Sequence, residues 1–335
     1  MQRIAVIGGG ITGVTTAYAL LKRGLDVTLY ERHRYAAMET SFANGGQLSA
    51  SNAEVWNHWP TVLKGLRWML RADAPLLVNP KPAWHKLSWF AEFMAAIPRY
   101  ADNTTETTRL AIAARDHLYQ WAREEGIDFD LERRGVTTRY GHDVCDLEAD
   151  GSGAWVTTAE GREAYDGVVV CAGVGSRGMA AKLGDRLNVY PVKGYSITVH
   201  LDEAASQQAA PMISLLDDEA KLVTSRLGKD RFRIAGTAEF NGFNRDIRDD
   251  RIRPLIDWVE QCFPGVSTRR VVPWAGLRPM LPNMLPRVGR GRLPSVFYNT
   301  GHGHLGWTLS AITAEMVADS VTMARPADAR LSPAR

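Results

Sequence analysis

The sequence predicts an α/β protein: a Rossmann-like nucleotide-binding domain with a parallel sheet, joined to an α+β substrate domain whose sheet is mostly antiparallel. Three observations predict it. Ile4-Ala-Val-Ile7 is an unbroken apolar run, as in a strand buried on both faces, and glycines follow at once as G-x-G-x-x-G at Gly8, Gly10 and Gly13. A second strand, Asp26 to Glu31, ends in an acid about twenty residues beyond the glycines, where a carboxylate can accept from a ribose hydroxyl. Far downstream, Tyr165 to Gly173 is another buried run ending in small residues; Asn188 to Thr198 then crosses back to a substrate domain, where 222–226 and 231–237 read as strands of an antiparallel sheet.

Each element has a local reason. Gly8 permits a tight turn, Gly10 lets the backbone approach a pyrophosphate, and Gly13 lets the following helix sit close on the strand. That helix, about Gly13 to Arg23, offers its N-terminus to phosphates and stops at Gly24. Small and polar residues from Glu39 to Gln47 form a loop able to lie against a planar ligand. Val62 to Leu70 is amphipathic with Lys64, Arg67 and Arg71 nearby, in a Trp-rich region. Three readings compete there: core and lid packing, a subunit interface, or a membrane-surface patch. Thr104 to Glu125 is a helix with Leu110, Ala114, Leu118 and Trp121 on one face, and Gly126 ends it. Ile127 to Leu131 alternates like a half-buried strand. Asp146 to Thr158 reads as a hairpin with a glycine turn, and Arg251 to Phe263 as a helix stopped by Pro264-Gly265. Val296 to Ser310 is strand, glycine loop, helix.

Composition excludes several classes. The 335 residues are 45% hydrophobic and 23% charged with net charge +3, enough for two domains and without a Lys/Arg run for nucleic acid. Cys145, Cys171 and Cys262 are scattered, giving neither a zinc motif nor a disulfide framework. No metal site is expected. No apolar run reaches membrane-spanning length, and the first strand begins at residue 3, leaving no room for a signal peptide. The expected location is cytoplasmic, with peripheral contact on the cytoplasmic face of the inner membrane as a variant of it.

Four stretches resemble one family. Glu39-Thr-Ser-Phe-Ala-Asn-Gly-Gly-Gln47, Pro191-Val-Lys-Gly-Tyr-Ser196, Trp274-Ala-Gly-Leu-Arg-Pro279 and Asn299-Thr-Gly-His-Gly-His-Leu-Gly-Trp307 are similar to motifs of the D-amino-acid dehydrogenase small subunit, within the FAD-dependent D-amino-acid oxidase and glycine oxidase superfamily. The resemblance implies non-covalent FAD held by Gly8, Gly10, Gly13, Glu31, Arg32, Ser41, Asn44, Gly45, Gly46, Ala172, Gly173, Gly301, Gly303 and Gly306. It implies that Arg278 grips the substrate carboxylate, with Tyr195 and His302 as further catalytic candidates. The implied reaction is oxidation of a D-amino acid to a 2-oxo acid and ammonia, by hydride transfer from Cα to flavin N5, with electrons passed to a quinone-type or membrane carrier.

The chain departs from the family twice. Asn283 and Met284 stand where the family has Asp and Gly, which questions the local turn. Near Gly135 a long family segment is absent, so that the start of a substrate-domain strand (Leu131 to Gly135) runs into a nucleotide-domain strand (Val136 to Val144). The only nearby crossover for that parallel strand is the 104–125 helix. Residues 1–50, 136–185 and 286–325 are expected to form the FAD domain, 51–135 and 186–285 the substrate domain, and 326–335 a frayed tail. Two alternatives stay open: an oxidase using dioxygen, of the glycine, proline or opine type, and a flavin-binding protein that the deletion has deprived of turnover.

Overall fold

The computed structural model describes residues 1–69, 74–126 and 135–324. The expected strand at 127–131, the family-like stretch before Gly135, the end of the amphipathic stretch at Leu70 and Arg71, and the tail lie outside these residues. In chain order the elements are β1 (Arg3–Ile7), α1 (Ile11–Lys22), β2 (Asp26–Glu31), α2 (Trp59–Trp68), β3 (Leu76–Val78), α3 (Trp84–Ala95), α4 (Tyr100–Glu125), β4 (Thr137–Tyr140), β5 (Asp146–Ala149), β6 (Ala154–Thr158), β7 (Gly161–Tyr165) and β8 (Gly167–Val170). Then come α5 (Ser176–Lys182), β9 (Tyr190–His200), α6 (Ala204–Ala209), β10 (Leu216–Asp217), β11 (Leu222–Leu227), β12 (Arg231–Phe240), α7 (Asp249–Cys262), β13 (Val271–Met280), β14 (Arg287–Arg290), β15 (Val296–Thr300) and α8 (Gly306–Met323).

The first sheet has the order β14-β15-β8-β1-β2-β4 and is parallel except for β14. Its central strand β1 is apolar and buried from Ile4 to Ile7 because both faces are covered. Ile4 and Val6 face a layer made by α1, α4 and α8, with Leu20, Trp121 and Ala314. Ala5 and Ile7 face the small antiparallel sheet β5-β6-β7 and α5, through Leu147, Val156 and Ala180. The expected hairpin is the β5–β6 pair, with Leu147 opposite Val156.

The strand after the deletion joins this sheet as expected: β4 pairs in parallel with β2, Leu29 opposite Thr138. The helix read as its crossover, α4, packs its C-terminal end on α1. Trp121 meets Tyr18 edge-on at 4.9 Å, the Tyr18 hydroxyl donates to Glu125 at 2.6 Å, and Lys22 pairs with Glu124 at 2.7 Å. The helix begins at Tyr100, four residues earlier than the hydrophobic pattern suggests. A 3₁₀ turn over Ile97–Arg99, with Pro98 in it, leads straight into it.

The second sheet runs β10-β11-β12-β9-β13, antiparallel, with β3 extending it beside the end of β12. One face packs on α7 through Ile197, Val199, Phe232, Ile234, Leu255 and Val259. The opposite face looks toward the first sheet, and α3 covers its far end with Trp89 and Phe93 against Val192 and Phe240. The Asn283–Met284 departure leaves the turn in place. Met284 takes φ +63° where the family has Gly, its N–H donates to the Leu281 carbonyl at 3.0 Å, and its side chain is buried in the Trp89 cluster. Side-chain burial thus offsets the backbone strain.

Candidate active site

The glycine turn is built as its spacing predicts. A Cβ on Gly13 would lie 1.7 Å from the Gly8 carbonyl oxygen, so helix and strand approach closer than any side chain allows. Gly8 itself has φ +107°. Glu31 is buried at the end of β2, and its carboxylate accepts from the N–H groups of Gly9 at 2.7 Å and His33 at 2.9 Å. It fixes the turn from outside. Arg32 is paired with Glu39. Burial alone would raise the Glu39 pKa, but Arg245, His33 and Arg32 around it pull it down to about 2.

The loop from Ser41 to Gln47 is pinned between the two sheets. Ser41 Oγ accepts from the Ile11 N–H at 3.0 Å, at the first turn of α1. On the other side Ser196 donates to the Ala43 carbonyl at 2.9 Å, and Gln47 Nε2 donates to the Leu215 and Thr224 carbonyls at 3.0 and 3.2 Å. Asn44 closes the loop on itself, donating to the Ser41 carbonyl at 2.9 Å and accepting from the Gly46 N–H at 2.7 Å.

A cavity of about 680 Å³ runs from this turn to the second sheet. Of the residues expected to bind cofactor or substrate, all but Gly13 line it; Gly13 sits behind the turn it shapes. Two helix N-termini point at the cavity, α1 beyond Gly10 and α8 beyond Gly303 and Leu305. Each brings the positive end of a helix dipole to the cavity. These residues fit FAD: one N-terminus beside Ser41 for the pyrophosphate, and a second beyond Gly303 for negative charge on the flavin ring.

At the far end stands Arg278. On β9 and β13 the even-numbered residues share the cavity face, with Gly194 opposite Gly276 and Val192 opposite Arg278. The two glycines leave a depression. The Arg278 guanidinium lies over Gly194, where a Cβ would meet Nη2 at 2.3 Å, and the Trp274 indole lies over Gly276, where a Cβ would meet the ring at 2.0 Å. The guanidinium donates to the carbonyls of Thr237 at 2.7 Å and Gly236 at 3.3 Å. Among the described residues no carboxylate shifts its pKa; burial pushes it down to about 10, still cationic at neutral pH. A cation held by neutral carbonyls keeps its charge for a ligand. His304 also lines the cavity, stacked on Trp56 with ring centroids 5.0 Å apart. Burial and the nearby Arg278 lower its pKa to about 4.

The other two catalytic candidates have their polar atoms bonded into the protein. Tyr195 is odd-numbered on β9 and belongs to the α7 face, and its hydroxyl donates to Glu239 at 2.7 Å. His302 is buried with Nε2 3.0 Å from Thr313 Oγ1, joining the glycine loop to α8. Sequence reasoning gave no role to Trp56, Trp274, Thr237 or Glu239. Trp274 stands inside a quoted motif, and a lone acid in an apolar strand is the available signal for Glu239.

Burial lowers the His302 pKa to about 3 and, more than any other cause, those of His85 and His304 to about 4. In the unfolded chain each titrates near ~6.5. Between these values the unfolded state binds more protons, so stability is complete above pH ~6.5 and falls as the pH drops toward the folded values. The urea midpoint is expected to fall between pH 7 and pH 4.5, and His302→Gln to flatten that slope. A slope unchanged by the variant would contradict a neutral buried His302.

A nucleotide cradle facing an antiparallel sheet that presents a free guanidinium defines a flavin-dependent oxidoreductase. The family model described as FAD dependent oxidoreductase matches residues 3–138 and 130–320, and the chain belongs to that family. Among its relatives, D-amino acid dehydrogenase 3 of Mesorhizobium japonicum is 54% identical over 411 positions, covering 99% of this chain and 100% of the relative. A D-amino acid dehydrogenase of Sinorhizobium medicae is 32% identical over 403 positions, covering 96% of each chain. Glycine oxidase of Geobacillus kaustophilus shares the fold at a TM-score of 0.67 and 19% identity, covering 98% of this chain and 96% of that one. The first alignment has 411 positions against 335 residues here, so at least 76 of them face a gap in this chain. The family match breaks into two segments that meet at 130–138, where the sequence loses its expected segment.

Proposed function

We propose that the chain oxidises D-amino acids to 2-oxo acids and ammonia, with the substrate held between Arg278 and the flavin. The observation that carries this reading is the uncompensated Arg278 guanidinium in the same cavity as the nucleotide cradle. Names of relatives supply the substrate class. FAD, when bound, supplies the acceptor for the hydride that leaves Cα. The protein's part is alignment. Arg278 takes the carboxylate through two parallel N–H bonds and fixes the Cα–H direction. The neutral imidazole of His304 and the indoles of Trp56 and Trp274 exclude water around the side chain. The α8 N-terminus favours negative charge at its end of the cavity. Water then hydrolyses the imino acid product.

The electron acceptor is proposed to be a quinone-type carrier met at a lipid surface. Helix α2 exposes Trp59, Leu63 and Leu66, with exposed Met69 just past its end, and carries Lys64 and Arg67, while Lys64 and Trp68 line the cavity. A basic helix with Trp and Leu outward suits a headgroup layer. Among the described residues no helix is long and apolar enough to cross a membrane. Leu63→Glu with Leu66→Glu is expected to abolish co-sedimentation with anionic vesicles and leave dye-linked activity unchanged. Vesicle binding that survives both charges would discard this surface.

A second reading has one observation behind it. The gap positions against the first relative, at least 76 in all, favour a flavin-binding protein without turnover. The test is 2-oxo acid formation from D- and L-amino acids with an artificial electron acceptor. Product from the D series supports the dehydrogenase; none from either series, with flavin bound, supports the second reading.

A further inference from the structure

We propose that Tyr195, Glu239 and Thr237 form a positioning device for Arg278, setting from behind the sheet where the substrate carboxylate is held. The inference rests on the reading of Arg278 as the carboxylate anchor.

The geometry begins with a β-bulge. Along β12 and β9, Gly236 pairs with Tyr195 and Glu239 with Lys193, so three steps on one strand face two on the other. Thr237 lies in that interval at φ +58°, a conformation that a β-branched residue rarely takes. Its hydroxyl is buried without a hydrogen-bond partner among the described residues, so none of these bonds holds the backbone through the threonine side chain. Its carbonyl is the closer of the two acceptors that orient Arg278, at 2.7 Å. The bulge therefore aims an acceptor into the cavity, and something outside it must keep it there.

The bonds that do so surround it. On the α7 side the Tyr195 hydroxyl donates to Glu239 Oε2 at 2.7 Å, bridging the last pair before the bulge to the first pair after it. Glu239 Oε1 takes Lys193 at 3.1 Å and Asn241 at 3.0 Å, with the lysine and glutamate side chains 0% and 3% exposed. Lys193 is in turn fixed by Asn244 Oδ1 at 2.7 Å and the Asp246 carbonyl at 3.1 Å. From the remaining side the Ala238 N–H donates to the Pro75 carbonyl at 2.7 Å. Removing the Tyr195 hydroxyl frees one end of the bulge and leaves the buried Lys193–Glu239 pair intact. A buried network of this kind fixes one backbone geometry among several.

The test uses the FAD-loaded protein and benzoate, a carboxylate with no Cα–H to oxidise, titrated against flavin absorbance. Tyr195→Phe is expected to weaken benzoate about tenfold and to raise KM for a D-amino acid more than it lowers kcat, with FAD affinity within about twofold of the parent. Thr237→Gly is expected to raise Tm and leave benzoate affinity as in the parent, because glycine relieves the strained backbone while the bonds around the bulge remain. The double variant Tyr195→Phe with Thr237→Gly keeps the test open if Tyr195→Phe alone fails to fold, and it is expected to show the same weakened benzoate binding. Benzoate that does not bind the parent would overturn the anchor reading of Arg278 itself. Benzoate that binds the parent, is lost in Arg278→Ala and is unchanged when the Tyr195 hydroxyl is removed, in the single or the double variant, would overturn this inference alone.

Discussion

Arg278→Ala is expected to lower kcat/KM for D-amino acids about a thousandfold, or about 4 kcal/mol, while FAD stays bound. The magnitude follows from the setting. The guanidinium is half-buried in the cavity, and its hydrogen-bond partners among the described residues are two neutral carbonyls. A carboxylate arriving there forms charge-assisted bonds in a low-dielectric site without displacing a competing anion. Truncation also removes the group that sets the Cα–H direction, so both binding and the chemical step suffer. Arg278→Lys is expected to recover only about tenfold, since an ammonium keeps the charge but lacks the planar fork. Steady-state kinetics with flavin content measured in parallel checks this. A variant with normal kcat/KM and full flavin would remove Arg278 from the site.

The second large effect lies at the other end of the cavity. Gly13→Ala is expected to lower FAD affinity at least about a hundredfold, close to 3 kcal/mol, or to yield protein that purifies without flavin. The added Cβ would fall 1.7 Å from the Gly8 oxygen, which is backbone and cannot swing aside. Either the helix backs away from β1, or the turn opens. Both remove the α1 N-terminus from the position where it meets a pyrophosphate. Equilibrium titration of FAD into the apoprotein, followed by flavin fluorescence, reads the loss. A Gly13→Ala protein that binds FAD like the parent would show that the turn does not depend on this close approach.

These two ends differ in how they can be read from sequence. The β1–α1–β2 unit is legible because its requirements are local. Glycine spacing, an apolar run and a terminal acid each constrain a few neighbouring residues, and the structure has Gly8, Gly10, Gly13 and Glu31 in the expected places. The crossover role of α4 follows from chain connectivity alone. The side-chain directions on β9 do not. Ten of its eleven residues are buried, because α7 covers one face and the other meets the cavity and α3. Without a wet face there is no alternation to say which residues look into the cavity. Tyr195, inside a motif and rich in chemistry, borders the cavity, yet its hydroxyl serves Glu239 on the α7 side. His302 and His304 pose the same problem in a loop. Both are next to glycines, and only the backbone path turns one ring toward Thr313 and the other onto Trp56. The bulge at Thr237 was invisible because nothing in Gly236-Thr-Ala-Glu239 marks an extra residue.

The most direct test of the central claim is one absorbance experiment on the purified protein loaded with FAD, before and after anaerobic addition of mixed D-amino acids. The account predicts flavin bands that bleach, and bleaching that is lost in Arg278→Ala while the bands themselves remain. Flavin bands that persist in the parent protein with every D-amino acid supplied would contradict it.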